Sequence, residues 1–371
     1  MIAESLILFI LVILVPDLYI GIKYLSKRSW CWQILWYIPA LLLILWGVLL
    51  ARQHDFVPDN MLYVNLFLLF WGLIAVPKAV FSIFSLLGKR GRKVGLALVP
   101  MLWFVVLYGA FIGNFKLEVK HVDISFSDLP ASFEGYKIVL FSDIHLGSMS
   151  KALMQEAIDS MNAQQADAIV FAGDIQNKQP SEMVPFIPML SKLKGKDGIF
   201  SVLGNHDYAE YVELPPYEAA RNEEEIVVRQ LDMKWDVLLN EHRSIRRGDD
   251  CIVFAGMEND GEGRFPQKGN INTTLWGLDT KSFVVMIEHD PSSWKRKILP
   301  HSHCQLTLSG HTHGMQFELF GWSPLSVTGK ECDGLYHIGE RCLYVSKGLG
   351  AVVPFRFGAT PEIVTITLHR K

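Results

Sequence analysis

The chain has 371 residues and a formal net charge of −3 at pH 7, and half of its residues are hydrophobic. A charge this small does not provide the basic surface that nucleic acid requires, so we expect no nucleic-acid partner. The length exceeds that of one typical domain. We predict a four-helix transmembrane domain over residues 1–113, a juxtamembrane linker with an edge strand over 114–135, and a layered α/β domain over 136–371.

Four apolar stretches predict the membrane anchor, because each is close to the roughly 20 residues that cross a bilayer as a helix. They lie near residues 5–21, 31–51, 61–87 and 94–113. Glu4 stands before the first stretch in place of basic residues, and no small-x-small cleavage site follows it. This favours an uncleaved anchor over a secretory signal, so we expect an integral multi-pass protein of the cell or inner membrane.

Loop charges predict the orientation of the anchor. Basic residues cluster after the first and third stretches, whereas acidic residues accompany the one arginine after the second: Lys23, Lys27 and Arg28; Lys89, Arg90, Arg92 and Lys93; Arg52 with Asp55 and Asp59. Basic turns stay in the cytoplasm. Four crossings then return the chain to the side where it began, so we predict an extracytoplasmic C-terminal domain.

The anchor also shows an internal repeat. Pro16 and Pro77 are 61 residues apart (77 − 16), as are Pro39 and Pro100 (100 − 39). This spacing predicts two copies of a helical hairpin with prolines inside the helices, and chance recurrence is the alternative. Asp17 and Lys78 follow the first proline pair, either as an intramembrane ion pair or as side chains reaching the cytoplasmic interface.

The second part alternates strand and helix patterns in the order of a layered α/β domain. Apolar runs at 136–142, 168–172 and 199–203 predict strands buried on both faces. The other predicted elements are an edge strand at 119–127, helices at 151–162 and 181–193, a polar insert at 208–225, strands at 237–239, 252–255, 283–287, 306–308 and 362–368, and a hairpin at 334–346. We predict a two-sheet α/β/β/α sandwich flanked by helices.

The five cysteines show no C-x-x-C spacing, which argues against a zinc-thiolate or redox site. Cys332 and Cys342 flank the predicted hairpin, which turns at Gly339-Glu340 and would pair Cys342 with His337. A disulfide between the two cysteines stays open at this point.

Five short polar blocks follow the predicted strands at their carboxyl ends, where ligands gather in open α/β sheets. They are Asp143-Ile144-His145, Gly173-Asp174, Gly204-Asn205-His206-Asp207, His289 and Gly310-His311-Thr312-His313. An isolated Asp or His at a strand end is more often a cap or turn residue than a metal ligand. Together, however, the blocks supply the oxygen and imidazole ligands, without thiolate, that two adjacent hard cations need.

In this order the blocks resemble the pattern D-x-H, G-D, G-N-H-[DE], H and G-H-x-H of the calcineurin-like metallophosphoesterase superfamily. The later segments between Gly334 and Glu362 further resemble its membrane-attached, transmembrane metallophosphoesterase subgroup. The resemblance implies that residues 136–371 form a metallophosphoesterase domain. It assigns Asp143, His145 and His313 to a first metal, Asn205, His289 and His311 to a second, and Asp174 to a bridge between them.

The resemblance also implies catalytic roles for His206, which would face the substrate and protonate the leaving oxygen, and for Asp207, which would orient the region or cap the next segment. Two divalent metal ions are implied, and manganese, iron and zinc all suit the ligand set. Two departures from the family pattern stand at Asn177, where many relatives have a carboxylate expected to orient His206, and at Met315, where glycine is usual. Arg356 is expected to be either a ligand for a second phosphate or, as is more common near the end of a domain, a surface or salt-bridge residue.

These observations predict a membrane-anchored metal-dependent phosphoesterase that cleaves a phosphate ester or pyrophosphate bond by metal-activated hydroxide attack. A lipid-linked or membrane-proximal phosphorylated substrate and the lipid bilayer are its expected partners, and the sequence sets no oligomeric state. One alternative is hydrolysis of the UDP-2,3-diacylglucosamine pyrophosphate bond in lipid A biosynthesis, if the domain faces the cytoplasm. An alternative from another class is a membrane sensor or transport module with a phosphate-binding regulatory domain.

Overall fold

A computed structural model describes residues 2–53, 61–208, 210–212 and 214–371. The chain divides into two compact units, Met1–Ile112 and Gly113–Lys371. Asp55 and Asp59, which contributed to the predicted orientation, lie outside the described residues.

The first unit contains four helices long and apolar enough to cross a membrane, as predicted. They are α1 (Ile2–Ile20), α2 (Trp30–Ala51), α3 (Met61–Leu86) and α4 (Gly88–Phe111), and each has one of the repeated prolines in its interior. The expected basic turn after the third helix is not a loop. Its four basic residues form the first turns of α4, because Lys and Arg are good helix formers and only Leu87 separates α4 from α3.

The residues that follow the first proline pair form an ion pair. Lys78 Nζ lies 2.6 Å from Asp17 Oδ1, and the Asp17 side chain is fully buried. The same ammonium lies over the ring of Trp36, 4.2 Å from its centroid. Of the two arrangements left open by the sequence, the structure has the pair.

The second unit contains twelve strands and five α-helices in its described part. The strands are β1 (Glu118–Phe126), β2 (Tyr136–Phe141), β3 (Ala168–Phe171), β4 (Gly198–Ser201), β5 (Asp236–Val237), β6 (Glu241–Arg247), β7 (Asp250–Gly256), β8 (Phe283–Ile287), β9 (Leu306–Ser309), β10 (Gly334–Ile338), β11 (Arg341–Val345) and β12 (Glu362–Arg370). The helices are α5 (Lys151–Ala163), α6 (Ile187–Leu190), α7 (Pro216–Asp232), α8 (Ile271–Thr274) and α9 (Leu299–His301).

The strands form two six-stranded sheets, with orders β1-β12-β2-β3-β4-β5 and β10-β11-β9-β8-β7-β6. Side chains from both sheets share one apolar cluster, in which Phe200 of β4 stacks on Phe254 of β7 with ring centroids 4.5 Å apart. The predicted fold class, a two-sheet α/β sandwich behind four apolar helices, is therefore confirmed. β1 is an edge strand, as expected, and pairs in parallel with β12.

Strand β2 explains why residues 136–142 form a continuous apolar run in the sequence, because side chains on both faces of the strand are buried. Ile138 and Leu140 belong to the cluster between the sheets, whereas Val139 and Phe141 point to the opposite face and pack with α5. Helix α5 buries residues spaced one helical turn apart: Leu153, Met154, Ala157, Ile158 and Met161. Its N-terminus is capped by Ser150 Oγ, which accepts a hydrogen bond from the backbone N–H of Leu153.

Two predicted elements differ from the structure, and one strand is additional to those predicted. The helix expected at 181–193 is a 3₁₀ turn (Pro180–Met183) followed by the single turn of α6, because Pro185 and Pro188 cannot donate backbone hydrogen bonds inside a longer helix. The polar insert contains the start of α7, whose acidic residues favour a helix. Strand β6 was not predicted, since this edge strand pairs only with β7 and carries mostly polar residues.

The β10–β11 hairpin has the predicted register, with His337 opposite Cys342. All five cysteines are free, and Cys304, Cys332 and Cys342 are buried. The disulfide that the sequence left open is therefore not formed.

Candidate metal centre

The expected ligands lie where strands of both sheets end. Asp143, Asp174 and Asn205 follow β2, β3 and β4 of the first sheet, and His289 and His311 follow β8 and β9 of the second. Strands β2, β3 and β4 are parallel to one another, as are β8 and β9, so their carboxyl ends deliver polar side chains to one edge of the sandwich.

The side chains of all seven expected ligands approach one another at that edge. His313 Nε2 lies 3.2 Å from His145 Nε2 and 3.5 Å from Asp143 Oδ1. Asn205 Oδ1 lies 2.7 Å from His311 Nδ1 and 3.2 Å from His289 Nε2. Asp174 Oδ2 is between these groups, 3.6 Å from His145 Nε2 and 3.2 Å from His289 Nε2.

This donor set fits divalent cations. Ligand atoms that each lie about 2.1 Å from a shared cation are about 3 Å from one another, which matches the observed separations. The facing nitrogens of His145 and His313 would repel if both presented lone pairs without a cation between them. The chemistry of the set, imidazole and oxygen without sulfur, suits manganese, iron or zinc.

The expected ligands have an unusual backbone conformation. Five of them have positive φ: Asp143 (50°), His145 (50°), Asp174 (62°), His311 (75°) and His313 (52°). Residues with a Cβ atom rarely adopt this region, and such residues cluster at functional sites. The neighbouring Gly173 also has positive φ, 90°, and a Cβ atom there would lie 2.5 Å from the backbone N of Gly204, so no other residue fits.

Hydrogen bonds to the backbone orient two of the imidazoles. His289 Nδ1 lies 2.6 Å from the carbonyl oxygen of Ala172, which can only accept, so the Nδ1 atom carries the proton and Nε2 presents its lone pair to the centre. His206 is held in the same way, with Nδ1 donating to the carbonyl oxygen of Asn177 at 2.8 Å. A nitrogen of His206 and the ligand atoms of His145 and Asp174 all lie within 4.8 Å of one another.

The hydrogen bond to Asn177 corrects one expectation. Asn177 orients His206 through its backbone carbonyl, not through its side chain, whose Nδ2 donates instead to Ser148 Oγ at 3.3 Å. The replacement of a carboxylate by an amide at this position therefore leaves the bond to His206 unchanged.

Asp207 lies behind the ligands with its carboxylate turned to the backbone. Its oxygens accept hydrogen bonds from the N–H groups of Asp174 and Gly204, both at 2.9 Å, and of Ile175 at 3.1 Å. Burial raises the pKa of Asp207 to about 7, and the charge of Asp174 acts in the same direction. These contacts join the turn after β3 to the turn after β4, so Asp207 holds two ligand-bearing turns together.

The surrounding imidazoles favour an ionised Asp174. Burial alone would raise its pKa, but His289 and His206 outweigh burial and hold the pKa well below its usual range. Burial lowers the pKa of His206, an effect that Asp174 opposes. The residue between the two groups of ligands therefore stays a carboxylate, which is the form that binds cations.

Three further residues contribute to the centre, and no role was predicted from the sequence for two of them, Tyr211 and Glu182. Tyr211 stacks on His206 with ring centroids 4.1 Å apart and 11° between the planes, and its hydroxyl accepts a hydrogen bond from Asn205 Nδ2 at 2.7 Å. Glu182 accepts hydrogen bonds from the backbone N–H groups of Asn177 at 2.5 Å and Gly147 at 3.0 Å. A tyrosine a few residues after G-N-H-D was the one signal available in the sequence.

The third residue, Arg356, is fully buried beneath the centre, which contradicts the interpretation as a surface salt-bridge residue. Its Nη2 atom donates to the carbonyl oxygens of Lys347 at 2.8 Å and Gly350 at 2.5 Å, and Nη1 donates to that of Ala359 at 3.0 Å. Nη2 also lies 3.3 Å from His313 Nδ1. The guanidinium donates its hydrogen bonds to backbone carbonyls and lies beside His313, an expected ligand, so it is not placed to bind a second phosphate.

The fold and this donor set define the class of metal-dependent phosphoesterases, and comparison with known proteins agrees. Residues 136–315 match the family model for calcineurin-like phosphoesterases. An uncharacterized metallophosphoesterase of Bacillus subtilis is 30% identical over 272 residues, which cover 70% of this chain and 88% of that protein.

Two further relatives extend the comparison. An uncharacterized metallophosphoesterase of Campylobacter jejuni is 27% identical over 369 residues, covering 94% of this chain and 93% of that protein. A zebrafish protein named transmembrane protein with metallophosphoesterase domain is 29% identical over 293 residues, covering 75% of this chain and 63% of the relative's length. The chain belongs to the calcineurin-like metallophosphoesterase family. Four apolar helices and a relative named as a transmembrane protein are consistent with the membrane-attached subgroup.

Proposed function

We propose that this protein hydrolyses a phosphate ester or pyrophosphate bond of a membrane-proximal substrate at a centre of two divalent cations. The observation that carries the proposal is the convergence of seven ligand side chains at one edge of the sandwich, with Asp174 between two groups of ligands. His145, His313 and Asp143 would hold one cation, and Asn205, His289 and His311 the other. Asp174 would bridge them.

When bound, two adjacent cations neutralise charge on a phosphoryl group and make a water molecule acidic enough to supply hydroxide at neutral pH. The residues of the chain supply orientation and a proton. His206, held by Asn177 through Nδ1, directs Nε2 away from that carbonyl. In the protonated form, Nε2 donates to a phosphoryl oxygen and gives its proton to the leaving oxygen as the phosphorus–oxygen bond breaks.

A membrane-proximal substrate is supported by the first residues of the second unit, which begins at Gly113 directly after the fourth apolar helix. Asn114 and Phe115 line a small cavity together with Ser148, Gly350 and Ala351. The backbone N–H of Gly350 donates to the carbonyl oxygen of Asp143 at 2.7 Å. The first residues of the second unit, which we call the catalytic unit, therefore line the same cavity as a loop that contacts the proposed metal ligand Asp143. This arrangement favours a phosphate carried by a membrane lipid.

We further propose that the catalytic unit is extracytoplasmic. The support is the distribution of basic residues: Lys23, Lys27 and Arg28 follow the first span, and the first turns of the fourth span are basic. A C-terminal alkaline phosphatase fusion would be active in this orientation. An inactive fusion, with an active cytoplasmic reporter at the same position, would reject it.

The enzymatic proposal is tested with the purified full chain in detergent, loaded with manganese and offered p-nitrophenyl phosphate and bis-p-nitrophenyl phosphate. Hydrolysis of at least one is expected, and failure on both with metal demonstrably bound would reject the proposal. Asp174→Asn should lose activity and bound metal together. His206→Ala should lose activity but keep the metal, measured by elemental analysis of the same preparation.

A further inference from the structure

An apolar segment projects from the second unit directly after the last metal ligand. We define the apolar hairpin segment as residues 315–327. Five of its large apolar side chains are exposed: Met315 (49%), Leu319 (38%), Phe320 (100%), Trp322 (47%) and Val327 (73%). Scattered apolar side chains are normal on a protein surface, but a group of five within thirteen residues marks an interaction site.

The tip of the segment is a tight hairpin turn with a two-residue loop. Leu319 and Trp322 exchange backbone hydrogen bonds of 2.8 and 3.0 Å, and the two residues between them, Phe320 and Gly321, have φ of 52° and 78°. Positive φ at both positions is the type I′ pattern, which prefers Asn, Asp or Gly. Phe320 is unfavourable here in two ways, because its backbone is strained and its ring lies entirely in water. Nothing in local folding accounts for a phenylalanine at this tip.

The base of the segment is fixed. Gln316 Nε2 donates to the carbonyl oxygens of Val353 at 2.6 Å and Phe355 at 2.7 Å. Glu318, the one acidic or basic residue in the segment, forms an ion pair with the buried Lys347. The tip is therefore held out on a rigid base, and its single charge is neutralised.

The segment shares its edge with the metal centre and with the start of the catalytic unit. Met315 is two residues from the ligand His313. Lys347, which holds the base, is followed by Gly348 against the side chain of Asp143 and then by Gly350 and Ala351 against Asn114 and Phe115. Ala351 is four positions after Lys347, a distance of at most about 14 Å in an extended chain. Asn114 and Phe115, at the start of the second unit, thus lie on the same edge as the base of the segment.

We propose that the apolar hairpin segment inserts its tip into the lipid bilayer and so presents the metal centre to phosphate groups at the membrane surface. A bilayer fits because the first residues of the second unit, which follow α4 in the chain, lie on this edge. It also fits because the tip carries no uncompensated charge and because Phe and Trp partition into the membrane interface. The bilayer contact stands independently of catalysis. Its consequence for substrate, a phosphate in a lipid headgroup, rests on the proposed function.

The contact is tested by labelling the full chain in proteoliposomes. In a Cys31→Ser, Cys251→Ser background the three remaining cysteines are buried, so Phe320→Cys can be labelled with an environment-sensitive dye. Brominated phosphatidylcholine should quench the dye at position 320. The matched control is Ile338→Cys, because Ile338 is 46% exposed but lies at the far end of β10, away from the metal edge, where the dye should stay unquenched.

Two outcomes would overturn the contact. If position 320 is quenched by aqueous iodide as readily as position 338, the tip is in water. If it is shielded from iodide but insensitive to brominated lipid, the tip binds protein, such as a second copy of this chain.

The consequence for substrate is tested with Phe320→Ser/Trp322→Ser against the control Ile338→Ser. Hydrolysis of a phosphodiester presented in vesicles should fall about tenfold or more, since two aromatic side chains no longer contribute to membrane contact. Hydrolysis of the soluble p-nitrophenyl ester should stay within about twofold of the parent enzyme. Equal losses on both substrates would overturn the inference, whereas no hydrolysis of either by the parent enzyme would reject the proposed function instead.

Discussion

The imidazole of His206 lies flat against the ring of Tyr211, with 4.1 Å between the centroids and 11° between the planes. The same tyrosine accepts a hydrogen bond from the amide of Asn205 at 2.7 Å. Burial raises the pKa of Tyr211 to about 12, so its hydroxyl keeps its proton at neutral pH. One side chain therefore positions both a proposed metal ligand and the proposed proton donor.

Tyr211 allows these two roles to be separated. Tyr211→Phe keeps the stack on His206 and loses the hydroxyl, so we expect weaker manganese binding with kcat at saturating metal within about threefold of the parent. Tyr211→Ala also loses the stack, and kcat should fall by about tenfold or more. Activity measured across a manganese titration distinguishes the two. Equal kcat in both variants would contradict a positioning role for the ring.

Glu182 is expected to support catalysis without touching the metals. Its carboxylate accepts the N–H of Asn177, whose carbonyl oxygen holds His206. In Glu182→Gln, the side-chain NH₂ group would face backbone N–H groups, and this part of the loop that holds His206 would shift. We therefore expect kcat to fall by about tenfold while the amount of bound metal stays unchanged. Glu156→Gln on the exposed face of α5 is the matched control. Loss of metal together with activity would show that Glu182 instead supports the whole centre.

Arg356 should be sensitive even to conservative replacement. Its planar guanidinium serves several carbonyl oxygens at once, which the single ammonium of lysine cannot do. We expect Arg356→Lys to lower the free energy of unfolding by about 2 kcal/mol and Arg356→Met by more, because carbonyls are left unsatisfied. The temperature of half-inactivation of the manganese-loaded protein measures this. Unchanged stability in both variants would contradict the role assigned to the buried guanidinium.

Removal of metal should destabilise the second unit. A ligand present at 100 times its dissociation constant stabilises a fold by about 2.7 kcal/mol, so a chelator should lower the unfolding temperature and manganese should restore it. In Asp174→Asn, chelator and manganese should make no difference. A variant that still responds to manganese would show that Asp174 is dispensable for binding.

The free energy of unfolding should fall in acid because of an ion pair between the two sheets. Asp167 precedes β3 of the first sheet, and its Oδ1 atom lies 3.0 Å from Nη2 of Arg247, the last residue of β6 in the second sheet. Burial alone would raise the pKa of Asp167, but the backbone N–H of Lys137 and the cations of Lys196 and Arg247 outweigh it and lower the pKa. A carboxyl group whose pKa is lower in the folded state than in the unfolded state stabilises the folded protein at pH values above the unfolded-state pKa of about 3.9. This stabilisation is lost as the pH falls through the pKa of the folded state.

Asp167→Asn tests this dependence. The variant should be less stable than the parent at pH 7 by about 1 kcal/mol, and the difference should shrink below about pH 4. Both proteins are heated at each pH and then assayed under one common condition. A difference that is constant from pH 7 to pH 3 would show that the charge of Asp167 does not contribute.

The sequence predicted those parts of the centre that are local in the chain. Asp143, Asp174 and Asn205 each end an apolar run, and the run itself identifies a strand buried on both faces. The contact of Arg356 with His313 spans 43 residues, and the other hydrogen bonds of its guanidinium go to backbone carbonyls, which leave no mark in the residue pattern. Helix α7 was missed because its acidic start resembles a loop, and β6 because an exposed edge strand needs no apolar alternation.

Five of the seven proposed metal ligands have left-handed backbones, each of which costs about 1 kcal/mol or more relative to an ordinary conformation. The rest of the sandwich supplies that free energy. Glycine would relieve the strain at any of these positions while removing a donor atom. Among descendants of this chain, those released from selection for hydrolysis should drift toward glycine at the ligand positions, and they should then be more heat-resistant than the metal-free form of the parent.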